Sequence, residues 1–525
     1  MLHLAWPLLW LLVVLKLGLF LLLLAASLHL LRLGLWSLRQ PAPAALPPLL
    51  ATSDALPHIT VQLPMYNEQA VAARAITAAC ALDWPRLSID VLDDSTDDTR
   101  QLIDRLVAER KKQGVDIRVL RRADRRGYKA GNLAHGLSQL APDCAYVAIF
   151  DADFVPPADF LRRLMPVLLG DKKAAFVQSR WAYLNESNNL LTRLQALILD
   201  GLMLVEQAYL DANALPLQWN GTSGIFRTQA LREAGGWLGD SQTASVLTED
   251  LDVSYRAHLR GYRGRHVASV AVPSELPAQM SSFRVQQQRW VGGGVQVLRS
   301  LVGKMTREGL HLRSVVTLLA HLTRHARQPY LALSLLWLPL VVLGQTPASQ
   351  TVVPVESSRA QSLERVAQLA LAAISLRAGL LLFVFAVAVY YCAARRQAGR
   401  SLLQAALLSP LLIPLSMGLS WPLSAALLRG LVESPARSEF QRTPKAGDAS
   451  DSIRPDSSLG TGIRPARRLG QALSPLVEVA LGLLYLALAG VVLFRAQLQT
   501  GIALIGCIAL GLLWVGLGSL RRPAL

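Results

Sequence analysis

What this chain of 525 residues is short of narrows its class. Cysteine is scarce: the four cysteines, Cys80, Cys144, Cys392 and Cys507, lie far apart, and two of them fall in apolar stretches. Neither zinc-site spacing nor a disulfide framework can be drawn from them, which suits a domain kept in a reducing cytoplasm. Acidic residues are also in deficit, 36 Asp and Glu against 53 Lys and Arg, for a formal charge of +17. That excess does not argue for nucleic acid. Much of it flanks apolar runs, as at Arg395-Arg396 and Arg521-Arg522, where basic residues set membrane orientation and meet anionic lipid. With 52% hydrophobic residues and a mean hydropathy of +0.34, the chain is too apolar for an ordinary soluble protein and too long for one core.

The apolar excess sits at the two ends. Leu8 to Leu31 is apolar apart from Lys16 and His29, and long enough to span a bilayer. Ala25-Ala26-Ser27 imitates a signal-peptide cleavage site, but no basic region precedes the run, whereas Arg32 and Arg39 follow it. An uncleaved anchor over residues 4–36, its far end cytoplasmic, is the expectation. Residues 301–329 read as interfacial helices leading into a membrane region at 330–432, with spans at about 330–345 and 366–392. A transmembrane hairpin follows at 476–520. Residues 402–432 are apolar but interrupted by Pro410, Pro414 and Pro422. Arg395-Arg396 before them and the basic stretch 433–475 after them should both be cytoplasmic, so this piece crosses zero times or twice. Interfacial or re-entrant helices fit its length.

Between anchor and membrane region, residues 50–300 alternate β-rich and helical patterns. Ile59 to Leu63, Ile89 to Leu92, Ile117 to Leu120 and Tyr146 to Phe150 read as strands, with helices over Glu68 to Leu82, Thr96 to Lys112 and Ala130 to Leu140. This alternation predicts a doubly wound α/β unit, whose ligands bind at the C-terminal strand ends. Val177 to Tyr183 adds a strand and Asn188 to Ala212 a long helix.

The fourth strand ends abruptly in Asp151-Ala152-Asp153. Two acids there either hold a divalent cation, and through it a diphosphate, or make local hydrogen bonds in a solvated turn. Asp93 and Asp94 close the second strand and face the same crevice. A helix cap needs one such residue and not two, so this pair reads as ligands, whereas Asn67 and Ser95 read as N-caps. Arg125-Arg126-Gly127-Tyr128-Lys129-Ala130-Gly131 offers either a solvated basic turn or the cations and close backbone approach that a phosphate needs. Trp219 to Gly224 has the small, polar make-up of a loop that approaches a ligand. Thr248-Glu249-Asp250 opens a helical pattern over Leu251 to Arg260. Either Thr248 caps it and the acids complement its dipole, or Asp250 is a general base for an acceptor hydroxyl. Phe283 to Leu301 is amphipathic and carries Gln286-Gln287-Gln288-Arg289-Trp290. Its Trp can stack on a sugar ring and its Arg neutralise a departing diphosphate, on a helix that also suits a membrane surface.

Taken together, Asp93-Asp94, Asp151-Ala152-Asp153, Thr248-Glu249-Asp250 and Gln286-x-x-Arg289-Trp290 resemble the ordered signature of family-2 inverting glycosyltransferases of the cellulose synthase type. The mannan and glucomannan synthase-like branch is most similar, through Val177-Gln178-Ser179-Arg180-Trp181, Asn220-Gly221-Thr222-Ser223-Gly224 and Glu233-Ala234-Gly235-Gly236-Trp237 as well, and the chain looks bacterial. The resemblance implies an α/β fold of GT-A (Rossmann-like) type, inserted between an N-terminal transmembrane helix and a C-terminal helical membrane region. It implies Asp93 and Asp94 near the nucleotide base, Lys129 beside the nucleotide, and Asp151 and Asp153 on sugar diphosphate and a divalent metal, Mg2+ or Mn2+. Asp250 would be the catalytic base, with Glu249 beside it in the catalytic set, and Arg289 would meet the diphosphate. Trp290, Gln286, Asn220, Gly221 and Thr222 would bind the acceptor. Phe440 to Lys445, with Arg442, Thr443 and Lys445, would be a gating segment that closes over bound nucleotide. The chain stops soon after Leu517 without a cyclic-nucleotide-sensing domain, so regulation of the bacterial cellulose synthase kind is not expected.

The implied activity is processive, metal-dependent transfer of a hexose, glucose or mannose, from a UDP- or GDP-hexose to a growing β-glycan with inversion. Its partners would be that donor, a glycan or lipid acceptor, membrane lipids and an export partner, but no nucleic acid. The alternative keeps the chemistry and makes a glycolipid such as a glycosyldiacylglycerol. An inactive transporter or scaffold is less compatible with a full set of motif acids. The expected location is an inner or plasma membrane, multi-pass, with the catalytic domain cytoplasmic.

Overall fold

A computed structural model describes residues 6–41, 46–47, 49, 55–239, 247–305, 310–344, 376–433, 465–494 and 499–520. The chain divides into two compact units: Arg39–Arg324 with Ala426–Ser458 and Arg522–Leu525, and Met1–Leu38 with His325–Ala425 and Leu459–Arg521. It opens on a 34-residue helix, α1 (Trp6–Arg39).

The unit that follows α1 is built on seven strands: β1 (His58–Met65), β2 (Leu87–Asp93), β3 (Ile117–Leu120), β4 (Cys144–Ile149), β5 (Ala174–Tyr183), β6 (Gly224–Arg227) and β7 (Arg263–Ser274). They form one sheet in the order β3-β2-β1-β4-β6-β5-β7. The first four strands are parallel, with Val61 paired to both Ile89 and Ala148, and Val91 to Val119, as a doubly wound unit requires. The rest departs from that expectation. β6 runs antiparallel to β4 and β5, while β5 and β7 are parallel, so the sheet is mixed. β6 is only four residues long and follows directly on a loop-like sequence, so no periodicity announces it.

These strands are nearly continuous apolar runs because helices cover both faces. On one face, α2 (Ala72–Cys80), α3 (Thr99–Lys112) and α5 (Phe160–Leu169) pack on Val61, Val91, Ala148 and Phe150. On the other, α4 (Tyr128–Ser138), α8 (Thr228–Glu233) and α9 (Glu249–Leu259) pack on Val147, Ile149 and Phe226. Between β5 and β6 runs a long helix, as expected, but in three parts: α6 (Leu190–Asp200), a π-helical turn at Gly201–Glu206, and α7 (Gln207–Ala212). The amphipathic helix α10 (Met280–Met305) and α11 (Leu312–Thr323) complete the unit.

Direction decides what reaches the working edge. β2, β1 and β4 end there, bringing Asp93, Tyr66 and Asp151. Because β6 is antiparallel, its beginning lies at that edge, Gly224 opposite Ile149, and the preceding loop delivers Asn220, Gly221 and Thr222.

In the other unit, the expected C-terminal hairpin is Pro465–Phe494 packed on Gln499–Leu520. Tyr485, Leu488, Ile505, Ile508 and Leu512 form its core, and the Tyr485 hydroxyl donates to the Leu335 carbonyl at 2.7 Å. Among the described residues, four helical stretches are long and apolar enough to cross a membrane: Val13–Arg39, Ala378–Gln397, Leu402–Val432 and Ser474–Val491. Residues 330–344 of the expected span at 330–345 are helical, within Arg327–Gly344, a helix that is not one of those four. That at 366–392 begins outside the described residues and continues as Leu376–Gln397. Residues 402–432, expected as interfacial or re-entrant, are helical on both sides of a 3-10 turn at Ser409–Leu411.

The hub of the second sheet face is Phe226, whose ring lies 4.9 Å from Trp219, 5.0 Å from Phe176 and 5.5 Å from Trp237. Phe226→Ala should therefore cost about 3–5 kcal/mol, read as a lowered melting temperature of the detergent-solubilised protein.

Candidate active site

The edge at the end of β4 is organised by Lys129. α4 begins just after Gly127, which turns the chain with φ +70°, and Lys129 reaches from its first turn across the crevice. Its Nζ lies 2.6 Å from Asp151 Oδ1 and 3.9 Å from Glu249 Oε1, and donates to the Gly221 carbonyl at 3.0 Å. Burial works against the ammonium, but the carboxylates of Asp151, Glu249 and Asp250 outweigh it and hold Lys129 above the ordinary lysine range. The backbone N–H of Asp151 donates to Thr222 Oγ1 at 2.9 Å, tying the acid to the loop before β6.

Asp250 closes the group from α9. Gly221 has φ +83°, and a Cβ built on it would lie 2.9 Å from Asp250 Oδ2, so only glycine brings this backbone against that carboxylate. Burial raises the Asp250 carboxyl above the usual range, with Lys129 and Arg289 pulling the other way. Its neighbour Glu249 is pushed up to about 7, mainly by burial and further by the Asp250 charge. From α10, Arg289 faces Glu249, Asp250 and Asp151; burial lowers its guanidinium, and the three acids oppose that. Thr248 stands at the N-cap position of α9 without a capping bond from its side chain. The fold therefore brings Lys129, Asp151, Gly221, Thr222, Glu249, Asp250 and Arg289 together at one crevice.

Asp93 and Asp94 sit farther along the edge, each with an arginine that the sequence reading missed. Arg121 Nε lies 2.8 Å from Asp93 Oδ2, and Arg122 grips both oxygens of Asp94 at 2.9 and 2.6 Å. The β2–β3 register foretells these pairs, since Leu92 opposite Leu120 places Arg121 and Arg122 next to Asp93 and Asp94. Arg125 stacks 3.2 Å over the Tyr66 ring. Arg126, expected as a phosphate donor, is 75% exposed and pairs with Asp124 at 3.2 Å. Asn67 and Ser95 are not the helix caps expected of them. They lock the two strand-end loops together, Ser95 Oγ accepting from the Asn67 N–H at 2.9 Å and Asn67 Oδ1 from the Thr96 N–H at 2.8 Å.

Asp153 is 5% exposed and accepts from the Glu275 N–H at 3.3 Å, while Asp151 is more open, with its side chain 35% exposed. Two carboxylates are hard oxygen donors of the kind magnesium and manganese take. Among the described residues no three acids, histidines or cysteines form a cage. Asp151 and Asp153 would hold such a cation by two oxygen donors and leave it open to further oxygen ligands. On α10, Gln286 and Trp290 lie one turn apart on one face, and Trp290 packs against the cluster of Tyr183, Ala196, Leu199 and Leu276 beside Trp181. The proposed gating residues Arg442, Thr443 and Lys445 lie outside the described residues.

In an unfolded chain Glu249 releases its proton near 4.5, in the folded protein near 7. The unfolded state therefore ionises first, and this group costs stability as pH rises from about 4.5 through 7. Glu249→Gln, which mimics the protonated form, should flatten that loss: melting temperatures of variant and wild type converge at pH 5, and the variant melts higher at pH 8.

Two family models match the chain: Glycosyl transferase family 2 over residues 60–231 and Glycosyl transferase family group 2 over residues 146–346. Among curated relatives, glucomannan 4-beta-mannosyltransferase 2 of Arabidopsis thaliana is 43% identical over 259 residues, 49% of this chain and 48% of the relative. Glucomannan 4-beta-mannosyltransferase 1 of Oryza sativa subsp. japonica is 42% identical over 264 residues, 50% of each chain. The chain thus spans about half the length of the curated relatives it matches, and these are plant proteins, which lends nothing to the bacterial look of the sequence. Among solved structures, the mannosyltransferase PcManGT from Pyrobaculum calidifontis, in complex with GDP-Man and Mn2+, aligns at 20% identity with a TM-score of 0.44, covering 75% of this chain and 97% of that one. The sheet and its helices are a mixed α/β domain, and it is over this domain that the chain is similar to glycosyl transferases of family 2, residues 60–231 matching that family's own model.

Proposed function

We propose that the chain is a membrane-embedded, processive β-glycosyltransferase that moves a hexose from a nucleotide-sugar to a growing β-glycan. The observation that carries this reading is Asp250. Its carboxyl, raised by burial, lies against the Gly221 backbone and faces Arg289, with Lys129, which bonds the same Gly221, and Asp151 near it. A base with an elevated affinity for protons, set between an acceptor loop and two cations, suits displacement at an anomeric carbon.

In that displacement the acceptor hydroxyl attacks from the side opposite the diphosphate and passes its proton to an Asp250 oxygen. The new C–O bond forms as the bond to the diphosphate breaks, the diphosphate keeping the electron pair. An α-linked donor then gives a β-linkage. Lys129 and Arg289 hold the departing anion, and their fixed charges act strongly where water is excluded. A divalent cation, when bound by Asp151 and Asp153, would add neutralising charge at the diphosphate. Asn220, Gly221 and Thr222 line the acceptor side, where Trp290 and Gln286 offer stacking and hydrogen bonding. Asp93 and Asp94, with Arg121 and Arg122, form the wall proposed for the nucleotide base.

The names of the two relatives described above, both glucomannan 4-beta-mannosyltransferases, favour mannose, and hence GDP-mannose, over glucose. The four helices able to cross a membrane support a multi-pass location, and the basic stretch 433–475 a cytoplasmic catalytic domain.

Membranes holding the protein should incorporate label from GDP-mannose into an insoluble product, released by a β-mannanase and dependent on Mg2+ or Mn2+. Asp250→Asn should lower incorporation by about 100-fold or more. Label confined to the lipid extract would make the protein a glycolipid synthase, and full activity in Asp250→Asn would remove the assigned base.

A further inference from the structure

Gln178, 1% exposed on β5, belongs to a motif shared with the family likeness but has no part in the chemistry above. Its amide is committed to the loop that carries Asn220, Gly221 and Thr222 and to Gln207 on α7. Oε1 accepts from the Asn220 N–H at 3.1 Å, and Nε2 donates to the Gln218 carbonyl at 2.9 Å and to Gln207 Oε1. A residue in a parallel strand bonds its neighbour in this way, to the carbonyl before and the N–H after the residue it faces. The Gln178 side chain thus stands in for one peptide unit of a strand alongside Trp219.

The loop is held from other sides too. Trp219, 1% exposed, is anchored among Phe176 and Phe226, and its ring fills the space a side chain on Gly224 would need. Ser179 Oγ lies 2.6 Å from Ser223 Oγ, and the Ser179 N–H donates to the Ser223 carbonyl at 3.0 Å. Gln207 follows directly on the π-helical turn, which also carries Met203, whose Sδ accepts from Asn220 Nδ2 at 3.5 Å. Such turns inside helices are frequent at functional sites. On its other side the same loop presents Gly221 to Asp250 and Lys129, and Thr222 to Asp151.

We propose that Gln178, braced by Gln207, is the positioning residue of the acceptor loop, setting the height of Asn220–Thr222 against Asp250 and so governing capture of the acceptor sugar without contact to the donor nucleotide. This rests on the transferase reading, in which that loop receives the acceptor. The side chain is irreplaceable in kind: Gln178→Glu keeps the volume and the bond from Asn220, but sets a carboxylate oxygen against the Gln218 carbonyl, and Gln207→Ala removes only the brace.

The test uses the full chain in membranes with labelled GDP-mannose and UDP-glucose, reading glycan incorporation, release of free sugar to water, and binding of GDP and UDP. Gln178→Glu should lower incorporation at least about tenfold and raise the ratio of hydrolysis to transfer. Binding of GDP and UDP should stay within about twofold of wild type, and Gln207→Ala should act in the same direction but less. Incorporation at the wild-type level in Gln178→Glu overturns the proposal. So does loss of nucleotide binding in step with transfer in both variants, which would make the network a general support of the fold. Asp250→Asn run alongside separates the two readings: if it still transfers sugar, the transferase mechanism fails, and if it is inactive while Gln178→Glu is not, only the positioning role fails.

Discussion

Asp151, Glu249 and Asp250 bring three carboxylates around the Lys129 ammonium and the Arg289 guanidinium, in a crevice largely closed to water. Carboxylates drawn out of water and set side by side hold protons more tightly, and only nearby cations restrain that rise. Each charged group there depends on the others. Lys129 stays charged because the acids surround it; the rise of the Glu249 and Asp250 carboxyls is held back because Lys129 and Arg289 are close. Such a balance needs side chains held at fixed separations, and the surrounding fold supplies that.

Two features of the sheet do most of the holding. The parallel strands β2, β1 and β4 end at one edge, so acids from distant parts of the sequence arrive side by side. The antiparallel β6 then sends its preceding loop to the same edge, within reach of Asp151 through Thr222 and of Lys129 through Gly221. Beneath the loop, Trp219, Phe176, Phe226 and Trp237 form an edge-packed aromatic layer with little room to shift. A rigid apolar base under a polar, glycine-bearing loop lets backbone approach a carboxylate that a side chain would exclude.

The other end of the crevice is organised differently. Asp93 and Asp94 are each neutralised by an arginine one strand away, and the loops after β1 and β2 are stitched through Asn67, Ser95 and Thr96. Charges there are paired with local partners and shared little with the central cluster. One site thus contains a settled wall and a charged centre in tension, an arrangement suited to holding one part of a ligand while acting on another.

Read alone, the sequence determined the parallel strands of the sheet, the helices between them, the long apolar stretches, and the strand-end carboxylates Asp93, Asp94 and Asp151. Strand and helix periodicities are local, and strand-end acids announce themselves by interrupting apolar runs. Tertiary structure decided the remainder. β6 is four residues in a glycine-bearing loop, and its direction follows from pairing with β4 and β5, which no local pattern encodes. Asn67 and Ser95 have the composition of helix caps, yet they bond across two loops whose approach depends on the β1–β2 register. Arg121 and Arg122 meet Asp93 and Asp94 for the same reason, 28 residues away in sequence but adjacent once β2 and β3 pair. The elevated Glu249 carboxyl depends on burial and on charges drawn from three separate helices, Lys129 on α4, Asp250 on α9 and Arg289 on α10. Local sequence sets what each segment can become; only long-range packing sets which charges become neighbours and how little water is left between them.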